Sequence, residues 1–211
     1  MKTNYDVIII GSGIVGSLIA RYLSRYELSV LAVEKQADVG MCPSSANSAI
    51  IHAGYDPKPG SVKAAMNAEG NKIWHTLAPE LGIMHKETGS CVAAIGKEEL
   101  PVLNELLENG RANKIPGLEI INGKDFIKKE PLINPLVSGV LWAPTAMVID
   151  PFGAVLAAAE NAVTNGAQYL FETEFTGFIF RDNTITGIHT NKGDFSCRWA
   201  INAAGLYSDE V

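Results

Sequence analysis

Three glycines and one glutamate near the start of the chain have the types and spacing of a dinucleotide-binding motif. Gly11, Gly13 and Gly16 fill the pattern G-x-G-x-x-G. The first glycine allows a tight turn, the second lets the backbone approach a pyrophosphate, and the third lets a helix lie close to a sheet. Glu34 supplies a carboxylate that can accept hydrogen bonds from both hydroxyls of an adenosine ribose.

The elements that position these residues follow from the neighbouring sequence. Residues 6–10 form a short apolar, β-branched run, which is typical of a buried parallel strand. Residues 14–23 carry apolar side chains at helical spacing, so the first N–H groups of this helix would face the phosphates. Residues 28–33 form a second strand-like run, and together these features predict a dinucleotide site rather than an ordinary glycine turn. We also assign to this site the neighbouring residues Ile14, Val15 and Lys35.

A loop rich in small and hydroxyl-bearing residues follows, where a simple nucleotide-binding unit would return promptly to a third strand. Ser44, Ser45, Asn47 and Ser48 can donate hydrogen bonds to phosphate or ring oxygens, and we assign them to the cofactor site. The alternative is a polar loop whose side chains satisfy its own backbone, as serine and asparagine readily do.

A second turn of small residues comes near the end of the chain. Residues 199–202 are a strand-like run, and Ala203, Ala204 and Gly205 follow it directly. Such a turn allows a flat or phosphorylated group to approach the backbone, although it could simply permit close packing. Combined with the first glycine turn, it favours FAD over NAD, because FAD spans a sheet and needs several separated contacts.

Composition and charge limit the remaining possibilities. The chain has 211 residues, 47% apolar and 19% charged, which suits one or two globular domains. A net charge of −6 without a dense Lys/Arg run gives no attraction to nucleic acid or anionic lipid. The sequence predicts neither a signal peptide nor a membrane span. Cys42, Cys91 and Cys197 form neither a disulfide framework nor a metal-ligand cluster, so we expect reduced thiols, no metal and a cytoplasmic location.

The rest of the chain predicts further helices and strands without a second nucleotide signature. Predicted helices cover 61–77, 97–109, 123–130 and 151–164, and predicted strands cover 90–95, 118–121, 137–142, 168–171, 175–180, 184–190, 195–196 and 199–202. We therefore predict that the region from 82 to 142 is an inserted piece of a second domain. His75 and His85 lie at this junction, and we assign them no role, because a lone histidine is more often structural than a ligand.

These motifs resemble the FAD-dependent oxidoreductase superfamily that includes D-amino-acid oxidase. Within it, the chain is similar to the branch of glycerol-3-phosphate dehydrogenase and L-2-hydroxyglutarate oxidase. The resemblance rests on residues 9–16 with Glu34, on the Asn-Ser…His-Ala-Gly stretch within 45–54, and on 201–209.

The resemblance implies an α/β fold with a discontinuous architecture. A Rossmann-like FAD-binding domain would comprise 1–80 and 146–211, and 81–145 would be the first part of an inserted α+β substrate domain. Members of this superfamily continue well past the point that corresponds to Val211, so we expect a C-terminally truncated chain.

The resemblance also implies an activity. We expect hydride transfer from a secondary alcohol to the flavin, with glycerol 3-phosphate as the first candidate and L-2-hydroxyglutarate, another 2-hydroxy acid or an amino acid as alternatives. His52 is the candidate base for the hydroxyl proton, although it could equally hydrogen-bond the flavin or the backbone. An anionic substrate needs a cation, for which Lys58 and Lys63 are local candidates, and the reduced flavin needs an electron acceptor.

Two functions of other kinds remain open at this point. In a dehydrogenase that binds only NAD, Glu34 would act in the same way, but the serine-rich loop and the Ala-Ala-Gly turn would have no cofactor to meet. A flavin-binding protein with a structural or electron-relay role would keep the cofactor site without an alcohol substrate.

Overall fold

A computed structural model describes residues 3–211 and divides the chain into two compact units. The first unit comprises 3–48, Leu81–Ile83 and Asp150–Val211, and the second comprises Ala49–Glu80 and Met84–Ile149. The predicted flavin domain included 49–80, which here belong to the second unit. The assignment of flavin and substrate to these parts of the chain stays a prediction.

The helices and strands of the described residues alternate along most of the chain. They are β1 (Asn4–Ile10), α1 (Ile14–Leu23), β2 (Val30–Val33), β3 (Ile50–Ile51), α2 (Val62–Glu80), β4 (His85–Lys86), β5 (Ser90–Ile95), α3 (Leu100–Ala112), β6 (Glu119–Asn122), α4 (Gly123–Lys129), β7 (Val137–Ala143), β8 (Met147–Ile149), α5 (Pro151–Thr164), β9 (Gln168–Leu170), β10 (Phe175–Arg181), β11 (Thr184–Thr190) and β12 (Gly193–Asn202). No helix in the described part of the chain combines the length and apolar character that a membrane crossing requires.

The first unit is built on a six-stranded sheet in the order β10-β11-β12-β1-β2-β9. The strands β12, β1, β2 and β9 run parallel to one another, whereas β10, β11 and β12 form an antiparallel meander. The predicted α/β fold with a parallel sheet is therefore confirmed, with β1 and β2 in its interior.

The strands β1 and β2 are apolar on both faces because both faces are covered. On one face, Val7 and Ile9 pack with Ala20 of α1 and Ala162 of α5. On the other face, their neighbours on β1 and β2 pack with meander side chains, including Ile188. Each fully buried branched side chain contributes roughly 1.5–3 kcal/mol relative to an exposed one, so this core holds the sheet and its connecting turns in place.

The end of the chain differs from the sequence prediction. Segments 195–196 and 199–202 were predicted as separate strands, but they belong to one continuous strand, β12. Ser196 marks the point where β12 meets two partners, since it pairs with Gly187 of β11 and with Asn4 of β1. A strand that changes partner midway has no single local pattern, which is why the sequence divided it.

The second unit contains two three-stranded sheets, in the orders β3-β8-β4 and β5-β7-β6. The strands β3, β4 and β8 were not predicted, because elements of two or three residues are defined by their pairing rather than by periodicity. The helix α3 also begins and ends later than predicted and passes through Gly110. A side chain at Gly110 would collide with Leu118 and Tyr55, so this glycine permits close packing instead of ending the helix. The helix α2 likewise runs past its predicted end to Glu80.

Candidate functional site

A cleft of about 510 Å³ lies in the first unit at the carboxyl ends of β1, β2 and β12. The carboxyl end of a parallel sheet is where ligands of α/β proteins usually bind. Three predicted stretches line this cleft together: the glycine turn, the end of β2 and the turn after β12. The predicted site residues among its lining are Gly11, Gly13, Ile14, Val15, Glu34, Lys35, Ser44, Ala203, Ala204 and Gly205.

Two of the three motif glycines are required by the turn itself. Gly11 has a φ of +99°, and a Cβ there would lie 2.6 Å from the carbonyl oxygen of Ala203. A Cβ on Gly16 would collide with the carbonyl oxygen of Gly11, so Gly16 lies beneath the turn and does not line the cleft. These two positions allow the start of α1 and the end of β12 to crowd around the end of β1.

Gly13 is different, because its backbone conformation suits any residue. Its φ of −66° and ψ of −173° are ordinary extended values. A Cβ there would meet only the hydroxyl oxygen of Ser44, at 2.9 Å. The absence of a side chain at Gly13 therefore keeps open the space above the first turn of α1, where a pyrophosphate could approach.

The first turn of α1 has no side-chain cap from its own N-cap residue. The N–H of Ile14 instead donates to the hydroxyl of Ser44, at 3.0 Å. Orphan N–H groups and the positive dipole end of a helix favour anionic oxygens. The hydroxyl of Ser44 thus marks the position where a phosphate oxygen could accept the same hydrogen bond.

Glu34 joins the end of β2 to the glycine turn. Its Oε2 accepts hydrogen bonds from the N–H of Ser12 at 2.8 Å and from the Ser12 hydroxyl at 3.1 Å. Its Oε1 accepts from the N–H of Gln36 at 2.9 Å. Ser12 is fully buried, and its role was not predicted, because the residue between the first two glycines carries no pattern of its own. Glu34 therefore supports the turn in addition to the ribose contact predicted for it.

Lys35 and Tyr207 form a pair on the wall of the cleft. The Nζ of Lys35 lies 3.6 Å from the centroid of the Tyr207 ring, which is a cation–π geometry. Lys35 was predicted in the site, but Tyr207 was not, because it follows the Ala-Ala-Gly turn without a motif. Both residues line the cleft.

The turn after β12 continues the pairing of β12 with β1. The N–H of Ala203 donates to the carbonyl of Ile10 at 2.9 Å, and the side chain of Asn202 accepts from the N–H of Ala204 at 3.1 Å. Gly205 has a φ of +60° and begins a short 3₁₀ turn, Gly205–Tyr207. The small residues predicted to face a cofactor thus lie beside the first glycine turn.

Three predicted residues of the serine-rich loop hold the loop itself or point to solvent. The hydroxyl of Ser45 donates to the carbonyl of Gly40 at 2.5 Å. The amide of Asn47 donates to the carbonyls of Pro43 and Ser44, and Ser48 is exposed. The described residues that line the cleft include none of these three. Ser45 and Asn47 hold the loop that presents Ser44, and the contact of all three residues with a cofactor stays a prediction.

The remaining predicted residue, His52, belongs to the second unit, directly after β3. Its side chain is exposed. Its role as a base stays a prediction.

Known proteins similar to this chain point to one family. The model of the family described as FAD dependent oxidoreductase matches residues 6–211. The chain is 41% identical over 207 residues to a glycerol 3-phosphate dehydrogenase of Caloramator mitchellensis, covering 98% of this chain and 43% of that protein. It is 31% identical over 222 residues to the mitochondrial L-2-hydroxyglutarate dehydrogenase of Homo sapiens, covering 99% and 48%.

A solved structure gives the same picture for the fold. The L-α-glycerophosphate oxidase of Mycoplasma pneumoniae, determined with FAD bound, matches with a TM-score of 0.88 and 29% identity. The match covers 93% of this chain and 53% of that one. The chain spans about half the length of the relatives it matches.

The open space above Gly13 gives a first prediction. We expect Gly13→Val to abolish flavin binding, because the new side chain fills the space next to Ser44 while the backbone conformation remains allowed. Flavin absorbance per protein should fall to background, and the far-UV circular dichroism should not change. Gly70→Val is the matched control, since a Cβ at Gly70 meets nothing within 4 Å. Normal flavin content in the Gly13 variant would contradict the assignment.

The two roles of Glu34 give a second prediction. Hydrogen bonds to a charged group contribute roughly 1.5–3 kcal/mol, so Glu34→Ala should weaken flavin binding by about 10- to 100-fold. Ser12→Ala removes the hydroxyl bond to Glu34 but keeps its N–H bond, so its effect should be much smaller. Titration of each variant's flavin-free form with FAD measures the binding affinity of both variants. Equal losses would mean that Glu34 acts only by supporting the turn.

Proposed function

Because this chain belongs to the family of FAD-dependent oxidoreductases, we propose that its protein transfers a hydride from a secondary alcohol to the flavin. FAD is the cofactor of this family. We propose glycerol 3-phosphate as the alcohol, since the relative with 41% identity is a glycerol 3-phosphate dehydrogenase. L-2-hydroxyglutarate is the second candidate, because a relative with 31% identity is named for that substrate.

The observation that carries this proposal is the convergence of the predicted cofactor residues on one cleft. Gly13, Glu34, Ser44 and the turn at Ala203 come from four separate parts of the chain, and all line the same space. A protein that bound only NAD would not need a small-residue turn on β12 and a serine from the loop beside the same glycine turn. The convergence therefore supports FAD more strongly than any one motif does.

The residues of the cleft fit the parts of FAD by their chemistry. The helix start at Ile14 and the hydroxyl of Ser44 would bind the pyrophosphate through an N–H and an O–H group. Glu34 would hold the adenosine ribose while it keeps its bonds to Ser12. When bound, FAD supplies the acceptor for the hydride that leaves the alcohol carbon.

We propose that His52 takes the hydroxyl proton of the substrate. An imidazole can accept a proton at neutral pH, and a positioned base speeds such a reaction by roughly 100- to 10,000-fold. The ring of His52 is exposed and makes no hydrogen bond to any residue that the structure describes, so its nitrogens are available. Lys58 and Lys63 are exposed residues that could attract an anionic substrate.

The electron acceptor and the location complete the proposal. The reduced flavin must pass its electrons to an acceptor, since the alcohol oxidation leaves two electrons on the cofactor. We propose a cytoplasmic location, which the three free cysteines Cys42, Cys91 and Cys197 support, because thiols stay reduced in that compartment.

A substrate panel tests the proposed function. The protein at its full natural length should show the visible absorbance of a flavin, and glycerol 3-phosphate should bleach that absorbance under anaerobic conditions. Glycerol, which lacks the phosphate, and L-2-hydroxyglutarate are the comparison compounds. Faster bleaching by L-2-hydroxyglutarate would make that compound the proposed substrate instead of glycerol 3-phosphate. If no alcohol bleached the flavin, the protein would bind a flavin without the proposed activity.

The role of His52 is tested separately. We expect His52→Ala to keep the flavin content but to slow flavin reduction by about 100-fold or more, and to remove one limb of the pH profile. His189→Ala is the control, because His189 is an exposed histidine that pairs with Asp194 on the meander. Lower flavin content with a near-normal rate per bound flavin would mean that His52 holds the cofactor instead. A variant with normal flavin content and a normal rate of flavin reduction would indicate that His52 is a structural residue.

A further inference from the structure

Three polar residues on one face of α2 converge on two backbone carbonyls of the second unit. Asn67, Asn71 and His75 follow one another at four-residue intervals, so they share a helix face. Their targets are the carbonyl oxygens of His52 and Thr145. Among the described residues, each carbonyl accepts two side-chain hydrogen bonds, and all four come from this helix.

The geometry centres on Asn71, which is 6% exposed. Its side-chain amide donates to the carbonyl of His52 at 3.2 Å and to the carbonyl of Thr145 at 2.9 Å. Asn67 gives a second hydrogen bond to the His52 carbonyl at 3.2 Å. The Nε2 of His75 donates the second hydrogen bond to the Thr145 carbonyl, at 3.0 Å.

The two carbonyls lie at the open end of a short antiparallel pair. The strands β3 and β8 pair from Ile50 with Val148 to Ile51 with Met147, and no further pair follows. Directly beyond this end, the side-chain amide of Asn71 bridges the segments that extend from β3 and β8, through the carbonyls of His52 and Thr145. The two N–H groups of one asparagine thus continue the link between the two strands where the backbone pairing stops, and both carbonyl acceptors are satisfied.

The segment after His52 is held from the other side as well. Ala53 is 1% exposed and packs in a cluster with Ile115. The amide of Asn113 donates to the carbonyl of Gly54 at 3.0 Å and to that of Pro57 at 2.8 Å. The backbone from His52 to Pro57 is therefore fixed by asparagine side chains, whereas the His52 ring itself stays exposed and without a hydrogen bond to a described residue.

We propose that Asn71 is a positioning residue for His52: it fixes the His52 carbonyl and so sets the place from which the imidazole acts. The inference rests on the proposed function, in which His52 takes the substrate proton. A base must lie within hydrogen-bond reach of that proton, and a misplacement of about 1 Å can cost about 100-fold in rate. An unbonded ring on a restrained backbone meets both needs, because the ring can exchange its proton while the hydrogen bonds to the His52 carbonyl restrain the residue.

The kinetic test is a double-mutant cycle in the full-length protein. Asn71→Ala should slow flavin reduction by about 10- to 100-fold at saturating substrate, with little change in flavin content. Asn67 and His75 still donate to one carbonyl each, so neither acceptor is orphaned and the fold should survive. In a His52→Ala background the same substitution should change the rate by less than about twofold, because the two residues act through one group.

Two controls separate positioning from a general loss of stability. Asn104→Ala removes an exposed helix asparagine of the same unit, which donates to the carbonyl of Leu100 and to no other described residue, and it should leave the rate unchanged. Leu103→Ala opens a cavity in the buried cluster against β5 and β7, and it should lower the melting temperature without the coupled rate loss. If Asn71→Ala fails to fold, Asn67→Ala provides the same cycle with one bond removed.

A second measurement does not depend on activity. Heteronuclear NOE values of the Ala53 and Gly54 amides should fall in Asn71→Ala and stay unchanged in Asn104→Ala. An additive cycle, a normal rate, or amides as ordered as in the parent protein would each overturn the inference. If no alcohol bleaches the flavin, the proposed function fails, and the NOE values alone decide whether Asn71 orders this segment.

Discussion

The parallel pairing of β12 with β1 is the constraint on which the candidate site depends. It brings the last strand of the chain beside the first, so that the turn at Ala203 meets the turn at Gly11. The two turns approach so closely that a side chain at Gly11 would collide with the backbone of Ala203. A cleft with walls from both ends of the chain follows from this one pairing. The glycines at positions 11 and 16 are its steric requirement, whereas Gly13 leaves room for a ligand.

Polar side chains add precision to a site that backbone packing creates. The carboxylate of Glu34 joins β2 to the glycine turn through Ser12, which fixes the spacing between the predicted ribose and pyrophosphate contacts. Lys35 and Tyr207 join β2 to the turn after β12 by a cation–π contact. Because β1 and β2 are buried on both faces, these few polar contacts need only orient side chains and do not have to hold the sheet together.

The second unit uses another device for the same purpose. Its strands next to His52 are only two and three residues long, so backbone pairing alone fixes little. Asparagine amides from α2 and from the end of α3 supply the missing hydrogen bonds to the carbonyls on either side of Ala53. Side-chain amides can satisfy two carbonyls at once, which suits a segment of irregular backbone. The exposed ring of His52 belongs to the backbone that these hydrogen bonds restrain.

Local patterns in the sequence determined the first strand, the glycine turn, α1, the acid at position 34 and the family to which the chain belongs. These features depend on neighbouring residues, and periodicity and glycine spacing record them directly. The continuity of β12, the short strands β3, β4 and β8, the bond between Ser12 and Glu34 and the contacts of Asn71 were decided only by the tertiary structure. Each of them joins residues far apart in the chain. The sequence around Ser12 and around Asn71 contains no pattern from which their hydrogen-bond partners could be predicted. Strand pairing and burial determine those partners, because a buried hydrogen-bonding group must find a partner among the residues that the fold places next to it.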